Sequence, residues 1–302
     1  MKKQKQASVR LTTTRGQRIF NVFNILFMFV LMCVMFYPMW YVFCASFSNP
    51  KLLMGYRGIL LKPLGFTLSS YGMMFKNSLL ISGYKNTLIV LVVGTTISIV
   101  LTSICAYVLS RKNVYWNKLF SRIIILTMFL NGGIVPTYLV VSKMLYLNNT
   151  LWALILPNAI SVYNMIIMRT SFSSIPESLG EAAKIDGASE WTILFKIILP
   201  ISKAIIAVMI LYYGVAIWNA WFDASIYIKE RSLYPLQLIL REILISNDTA
   251  VMAQGVDDMD QEMVGETIKY SVIVFATVPI LCVYPFLQKY FVQGVMIGAV
   301  KG

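Results

Sequence analysis

The sequence predicts an all-α integral membrane protein with six transmembrane helices, and three observations lead to this fold class. First, 58% of the 302 residues are hydrophobic, only 13% are charged, and the mean hydropathy is +0.71. Soluble domains carry about 25% charged residues because their surfaces face water. Second, apolar runs of about 20 residues, the length that crosses a bilayer, recur along the chain. Third, basic residues concentrate in alternate connections, which is the pattern that orients membrane helices.

The predicted spans have cores nearly free of charge, as expected because a central charge costs roughly 2.5–3.5 kcal/mol to insert. Pro38 is expected to kink the first span, and Asn131, Gly132, Gly133 and Pro136 interrupt the third. The approximate bounds of the six spans are 19–47, 87–109, 123–141, 151–168, 201–221 and 270–287.

The distribution of Lys and Arg predicts the orientation of these spans. With a cytoplasmic N-terminus, 16 of the 26 basic residues fall inside: in the basic tail 1–18, in the second and fourth connections, and near the C-terminus. Since positive residues are retained in the cytoplasm, both termini and the segment 174–200 are predicted to be cytoplasmic. The long connections 48–86 and 222–269 are then extracellular.

Composition also argues against several functions. The net charge of +13 is accounted for by orientation of the spans, so nucleic-acid binding is not expected. The chain has no histidine, and its four cysteines lie in or beside apolar runs, which disfavours metal, haem and Cys–His sites. It also lacks the G-x-x-x-x-G-K-[ST] loop that cradles nucleotide phosphates. We therefore expect no cofactor on this chain and an energy source on another polypeptide.

The segment 174–200 is charged and rich in small residues, although it lies between two apolar spans. Ser174 and Glu177 have the spacing of a capping box, which predicts a helix through the following alanines. Gly187 is expected to end that helix with positive φ. An apolar face on the second arm, from Trp191 to Ile198, completes a helix–turn–helix parallel to the membrane surface. An ordinary interfacial amphipathic helix is the alternative, but it does not explain the small residues. The residues at fixed spacing are Glu181, Ala182, Ala183, Asp186, Gly187, Leu199 and Pro200.

This order resembles the EAA signature, E-A-A-x-x-x-G-x9-I-x-L-P, of importer permeases of the ATP-binding-cassette (ABC) class. Segments 131–138, 212–224 and 288–302 are similar to maltose-type carbohydrate permeases, and to the oligosaccharide permeases of Gram-positive bacteria in particular. Ile217 departs from the family, in which a histidine is expected before the Trp-Asn pair. The resemblance covers nearly the whole chain and implies a single type I permease domain with a cytoplasmic coupling helix.

The resemblance also implies partners and a location. The family forms a heterodimer with a second, homologous permease, and two ABC ATPase subunits carry the ATP and Mg²⁺. An extracellular, lipid-anchored binding protein delivers the oligosaccharide, and part of 236–266 would reach into it. The chain would be a non-catalytic, multi-pass subunit in the plasma membrane of a Gram-positive bacterium, in contact with lipid.

Candidate sugar contacts follow from chemistry, because sugars offer hydroxyls to amides and C–H faces to aromatic rings. The alternative for each aromatic residue is a role as an interface anchor, and for each amide a role in joining helices. Asn131 either breaks the third span beside the translocation path or marks a packing kink. The candidates are Trp218, Asn219, Trp221, Tyr163, Asn164 and Asn131.

Three other functions compete with sugar import by an ABC permease. An ABC importer of another solute would share the signature. An ion-coupled secondary transporter should carry carboxylates well inside its spans, and a membrane enzyme should carry clustered His, Cys or paired carboxylates. The predicted spans show neither pattern.

Overall fold

The computed structural model describes residues 14–130, 132–246, 265 and 267–285. Within these residues every regular element is helical. The longer helices are Arg15–Ser46, Ser78–Ser110, Asn117–Phe129, Val162–Ser173, Lys203–Asn219, Leu236–Ser246 and Thr267–Pro285. The shorter ones are Pro50–Met54, Ser69–Lys76, Ile134–Leu139 with a π-helical turn to Met144, Trp152–Ile155, Glu177–Ile185, Glu190–Ile201 with a π-helical turn inside it, Phe222–Tyr227 and the 3₁₀ turn Arg231–Leu233.

Three described helices are long and apolar enough to cross a membrane alone: Arg15–Ser46, Ser78–Ser110 and Thr267–Pro285. Two bent pairs raise the number to five if each pair is one span: Asn117–Phe129 with Ile134–Met144, and Glu190–Ile201 with Lys203–Asn219. The described residues thus confirm an all-helical membrane fold with three to five candidate spans, which is fewer than the six expected.

The expected fourth span, 151–168, is not one continuous helix. The chain forms Trp152–Ile155, leaves the helix, and resumes at Val162. Pro157 lacks the N–H that a continuing helix needs. The Ser161 hydroxyl accepts a bond from the Asn164 N–H (3.4 Å) and caps the next helix.

The bounds predicted for the first three spans agree in part with the observed helices. The second predicted span begins at Ser78 rather than 87, with the Asn77 side chain capping its first N–H groups. The interruption expected in the third span is confirmed, since Phe129 ends one helix and Ile134 begins the next after Gly133 at φ 85°. The first helix continues through Pro38 without a break.

The core forms around the helix Ser78–Ser110, which packs against Val162–Ser173 and Lys203–Asn219. Hydroxyl groups join these helices, because the Thr102 and Tyr213 oxygens lie 2.6 Å apart and the Tyr213 oxygen accepts the Ser161 N–H at 3.0 Å. Buried polar groups that are paired in this way specify one arrangement of neighbouring helices.

The connection 222–269 was expected to be extracellular, with part of 236–266 reaching into a binding protein. The described helix of this connection, Leu236–Ser246, packs on the core. Leu236 and Ile239 are buried with Trp218 and Ile268 in one cluster. The Leu236 N–H donates to the Thr87 hydroxyl at 2.8 Å. One face of the helix Leu236–Ser246 is therefore buried against the core, and residues 247–264 of the segment expected to contact a binding protein lie outside the described residues.

Candidate functional site

The first candidate site is the segment that carries the small-residue signature. Its first arm is the helix Glu177–Ile185, so the predicted short helix is confirmed. The predicted capping box is wrong: Pro176 occupies the N-cap position and no side chain caps it. The Ser174 hydroxyl instead donates to the Ser171 carbonyl (2.7 Å), because Ser174 ends the preceding helix.

The turn after this helix depends on Gly187. Its φ of 80° confirms the predicted left-handed conformation, which a residue with a Cβ adopts only with strain. The Ala188 N–H donates to the Ala183 carbonyl at 2.9 Å, and the Gly187 N–H donates to the Lys184 carbonyl at 3.0 Å. These bonds satisfy carbonyls that would otherwise be unpaired at the helix end.

The signature residues face two directions. Ala183 and Gly180 are buried, and a Cβ at Gly180 would lie 3.0 Å from Nη1 of Arg111. Small side chains on this face therefore fit the helix to its own chain. The opposite face carries Glu181 and Ala182, both exposed, and Ile185, which is 87% exposed. This face therefore leaves a large apolar side chain uncovered by the rest of the described chain.

A hydrogen-bonded network ties this segment to the end of the helix Ser78–Ser110. The Tyr107 hydroxyl donates to Oε2 of Glu190 at 2.5 Å and accepts from Nη2 of Arg111 at 2.8 Å. The Lys184 ammonium lies 2.5 Å from the other Glu190 oxygen. We call Tyr107, Arg111, Lys184 and Glu190 the coupling latch. Glu190 lies before the span Lys203–Asn219 in the chain. The hydrogen bond from Lys184, followed by the smaller effect of the one from Tyr107, lowers the pKa of Glu190 below its ordinary value.

The second arm, Glu190–Ile201, is anchored on one side and exposed on the other. Ile193, Leu194 and Ile198 are buried in the core, which confirms part of the predicted apolar face. Trp191 and Phe195 are exposed and stack with ring centroids 6.1 Å apart. Leu199 is half-buried and Pro200 is exposed, and the chain bends by 86° about Ser202 before the span Lys203–Asn219.

The second candidate site is a cavity of about 1070 Å³ between Val162–Ser173, Lys203–Asn219 and their neighbours. Tyr163 and Asn164 both line it, Tyr163 exposed and Asn164 buried. Nδ2 of Asn158 donates to Oδ2 of Asp223 at 2.6 Å at its wall. The cavity thus combines an aromatic face with amides and a carboxylate, the groups that contact sugars.

The other predicted path residues lie elsewhere. Trp218 is buried, and its indole N–H donates to the Ala276 carbonyl at 3.2 Å, which is a packing contact between helices. Nδ2 of Asn219 donates to the carbonyl of Val215 within its own helix. The Trp221 ring lies 3.6 Å under the Arg241 guanidinium. None of the three lines the large cavity, and Asn131 lies outside the described residues.

Sequence reasoning missed the coupling latch and the Asn158–Asp223 pair. Tyr107 and Glu190 are 83 positions apart, and Asn158 and Asp223 are 65 apart. A partial signal existed, because a tyrosine and an arginine one turn apart at the end of an apolar helix face the same side. The sequence alone did not indicate that Tyr107 and Arg111 lie next to Glu190 in the fold.

Most of the chain matches one known protein family. Residues 94–297 match the family described as "Binding-protein-dependent transport system inner membrane component". The chain belongs to this family. It is therefore a non-catalytic, multi-pass permease subunit of a binding-protein-dependent ABC importer, in the inner or plasma membrane. Membership implies an ATPase and a binding protein as partners, and members of the family typically bind no cofactor themselves.

Individual relatives cover almost the whole chain. Protein LplC of Bacillus subtilis is 41% identical over 96% of this chain and 97% of its own length. The polygalacturonan/rhamnogalacturonan transport system permease protein YtcP of the same species is 39% identical over 94% of this chain and 99% of its own. A crystal structure of a bacterial ABC transporter involved in the import of the acidic polysaccharide alginate matches with a TM-score of 0.85. Its identity is 28%, over 93% of this chain and 99% of that one.

Proposed function

We propose that this permease carries an oligosaccharide derived from an acidic polysaccharide, delivered by an extracellular lipid-anchored binding protein. It acts as a type I permease with six spans and both termini cytoplasmic, paired with a second homologous permease and two ATPase subunits that hold ATP and Mg²⁺. The proposal is supported by the two faces of the segment 177–201. One face packs against the core of the helical bundle, and the other face is exposed.

The exposed face suits an ATPase socket. Ile185 and Trp191 are large, apolar and mostly exposed, and Glu181 and Ala182 are exposed on the same helix as Ile185. Buried apolar anchors carry most of the energy of such interfaces, whereas an exposed ion pair from Glu181 would add only about 0–1 kcal/mol. Docking therefore depends on shape and apolar burial. The latch then transmits movement of the docked segment to the helix Ser78–Ser110.

A substitution on the exposed face tests the docking. Ile185→Asp should weaken ATPase binding by about thirtyfold, the loss typical of a central anchor, and should abolish uptake while the permease still inserts. Ile185→Leu is the matched control and should retain both. Copurification of the ATPase with each variant measures the effect. Normal ATPase binding by Ile185→Asp would rule out this surface.

Substitutions at Ala183 and Gly187 should affect the fold of the segment rather than docking of the ATPase. Ala183→Arg should destabilise the permease itself, because Ala183 packs on its own core. Gly187→Leu is strained at φ 80° although the space around it is open. These variants report on the fold of the segment, and Ile185 reports on docking.

The substrate class rests on the cavity and on the relatives. YtcP is named for polygalacturonan and rhamnogalacturonan transport, and the matched structure imports alginate. The cavity offers Tyr163 as a stacking face, with Asn164 and Asn158 as hydrogen-bonding groups. We propose these three residues as sugar contacts. Trp218, Asn219 and Trp221 stay predictions, with a packing contact at Trp218 as the competing role.

An uptake assay tests the substrate class. The reconstituted importer should take up oligogalacturonides or oligoalginates in preference to neutral maltooligosaccharides. Tyr163→Ala should lower uptake without loss of assembly, since this side chain is exposed, whereas Trp218→Ala should lower assembly as well. Equal transport of neutral and acidic sugars would contradict the substrate class and leave the importer function intact.

A further inference from the structure

A basic cavity of about 380 Å³ lies where the helix Ser78–Ser110 ends and Asn117–Phe129 begins. It is separate from the large cavity assigned to the sugar. The acidic residue in its lining, Glu177, already pairs with Lys112 at 3.1 Å. Across the described part of the chain, the other cationic residues of the lining form no salt bridge. These are Arg111, Lys118 and Arg169.

Arg169 is held in a geometry that suits an anion. Its Nε donates to the Leu109 carbonyl at 2.9 Å, at the end of the long helix, which fixes the guanidinium plane. Its two terminal nitrogens meet no acceptor among the described residues, and neither does the Lys118 ammonium. A fixed guanidinium fork beside a lysine matches the oxygens of a phosphate group.

The cavity lies at the C-terminal end of Ser78–Ser110 and at the N-terminus of a second helix. The helix Asn117–Phe129 is 13 residues long, and no side chain caps its N-terminus. Asn117 and Lys118, its first residues, line the cavity. The Asn117 and Leu119 N–H groups already donate to the carbonyls of Val114 and Trp116, so this end favours a nearby anion chiefly through the helix dipole. Here it adds to the charge of Lys118 and Arg169, while the Arg111 guanidinium is engaged by Tyr107.

Two exposed aromatic residues lie in the turn between the two helices that border the cavity. Tyr115 is 84% exposed and Trp116 is 63% exposed, with ring centroids 6.4 Å apart. Trp116 has φ 61°, a conformation that a bulky residue adopts only under constraint. Exposed tryptophan and tyrosine beside the end of a membrane helix are typical of the headgroup region.

We propose that this cavity binds the phosphate group of an anionic phospholipid in the cytoplasmic leaflet. Basic pockets between helices on the cytoplasmic side bind such headgroups elsewhere. The inference depends on the orientation in Proposed function, which places the 111–117 turn in the cytoplasm. Pro176 and Glu177, at the start of the coupling helix, form part of the wall. An occupied site therefore contacts the segment that receives the ATPase.

The test uses the complete importer in nanodiscs of phosphatidylcholine with phosphatidylglycerol. Native mass spectrometry then counts the phosphatidylglycerol retained after release. Lys118→Gln should bind the lipid about fivefold more weakly, and Lys118→Arg should restore binding. Lys203→Gln, which removes an exposed charge outside the lining, is the control and should match the parent. Equal retention by Lys118→Gln and the parent would overturn the proposal.

A second arm separates a lipid headgroup from free phosphate. The complex in neutral detergent is titrated with inorganic phosphate, against chloride at equal ionic strength, and its melting temperature is measured. A phosphate-specific rise that Lys118→Gln abolishes, without lipid retention, would assign the cavity to a free anion and overturn the lipid. Neither readout needs transport, so failure of this site is distinguishable from failure of the importer function.

Discussion

Two helices of this permease are nearly equal in length and apolar character, yet they differ in how they pack. Arg15–Ser46 has 32 residues and Ser78–Ser110 has 33. In the most apolar 18-residue stretch of Arg15–Ser46, no residue is buried within the chain. In the corresponding stretch of Ser78–Ser110, 33% of the residues are buried. Apolar length therefore predicts that a helix spans the membrane, but not what it packs against.

The difference lies in the small and hydroxyl-bearing residues. The second helix buries Gly94, Ser98, Thr102 and Ser103 against its neighbours. The first helix buries only its C-terminal end, from Cys44 to Ser46. Small residues let backbones approach closely and hydroxyls bond across helices, so their pattern marks the helix at the centre of the fold.

The largest expected effect comes from filling a close approach on the second helix. A Cβ at Gly83 would lie 2.4 Å from Cδ1 of Ile239 and 3.3 Å from the Tyr234 carbonyl oxygen, whereas Gly16 has nothing within 4 Å. Gly83→Leu should therefore cost about 1–3 kcal/mol of stability, and Gly16→Leu about 0.5 kcal/mol or less. Unfolding of both variants in detergent measures the difference. Equal losses would mean that the two helices are packed alike.

The same contrast explains how much of the fold could be predicted. Apolar runs predicted where membrane helices lie, and Gly133 predicted the break in the third span. Residues 151–168 were misjudged because their composition is apolar, while Pro157 and the Ser161 cap divide them locally. The start at Ser78 was missed because residues 48–86 were assigned to one connection. Asn86 lies inside the helix, where its amide donates to the Ser232 carbonyl at 2.8 Å.

The candidate site was predictable where it depends on local backbone chemistry. Gly187 needs positive φ whatever surrounds it, and its conformation was confirmed. The direction in which Ala183 and Trp218 face depends on distant partners, and the sequence does not name those partners. The coupling latch is of this second kind, since Tyr107 and Glu190 meet only in the folded chain.

The next largest effect should come from cutting that latch. Tyr107→Phe removes the hydroxyl that joins Arg111 to Glu190, which should cost about 0.5–1.5 kcal/mol. The greater consequence should be functional: ATP hydrolysis continues while the uptake per ATP falls. Tyr37→Phe on the first helix, which removes a hydroxyl that accepts the Leu60 N–H, is the control and should leave this ratio unchanged. An unchanged ratio in Tyr107→Phe would show that the latch does not transmit movement.

A smaller effect should appear with pH. The Lys184 and Tyr107 hydrogen bonds lower the pKa of Glu190, so the latch stabilises the fold above the ordinary glutamate pKa of about 4.3. This contribution should be lost as the pH falls below that value and through the lowered pKa. Hydrogen exchange of 177–190 should be constant from neutral pH to about pH 5, after correction for intrinsic rates, and accelerate at lower pH. Glu190→Gln should remove this acid dependence. The same acid dependence in the variant would assign the titration to another group.

The smallest perturbation tests whether the first helix stays uncovered in the complete importer. Cys33 is exposed in the middle of this helix, whereas Cys44, eleven residues on, has no exposed surface. In a variant with Cys105→Ala and Cys282→Ala, N-ethylmaleimide should label Cys33 but not Cys44 in the isolated permease in detergent. If the second permease covers the first helix, as its unburied apolar face favours, labelling of Cys33 should fall on assembly while Cys44 stays unlabelled. Unchanged labelling of Cys33 would mean that the helix faces lipid, and that its contrast with Ser78–Ser110 persists in the importer.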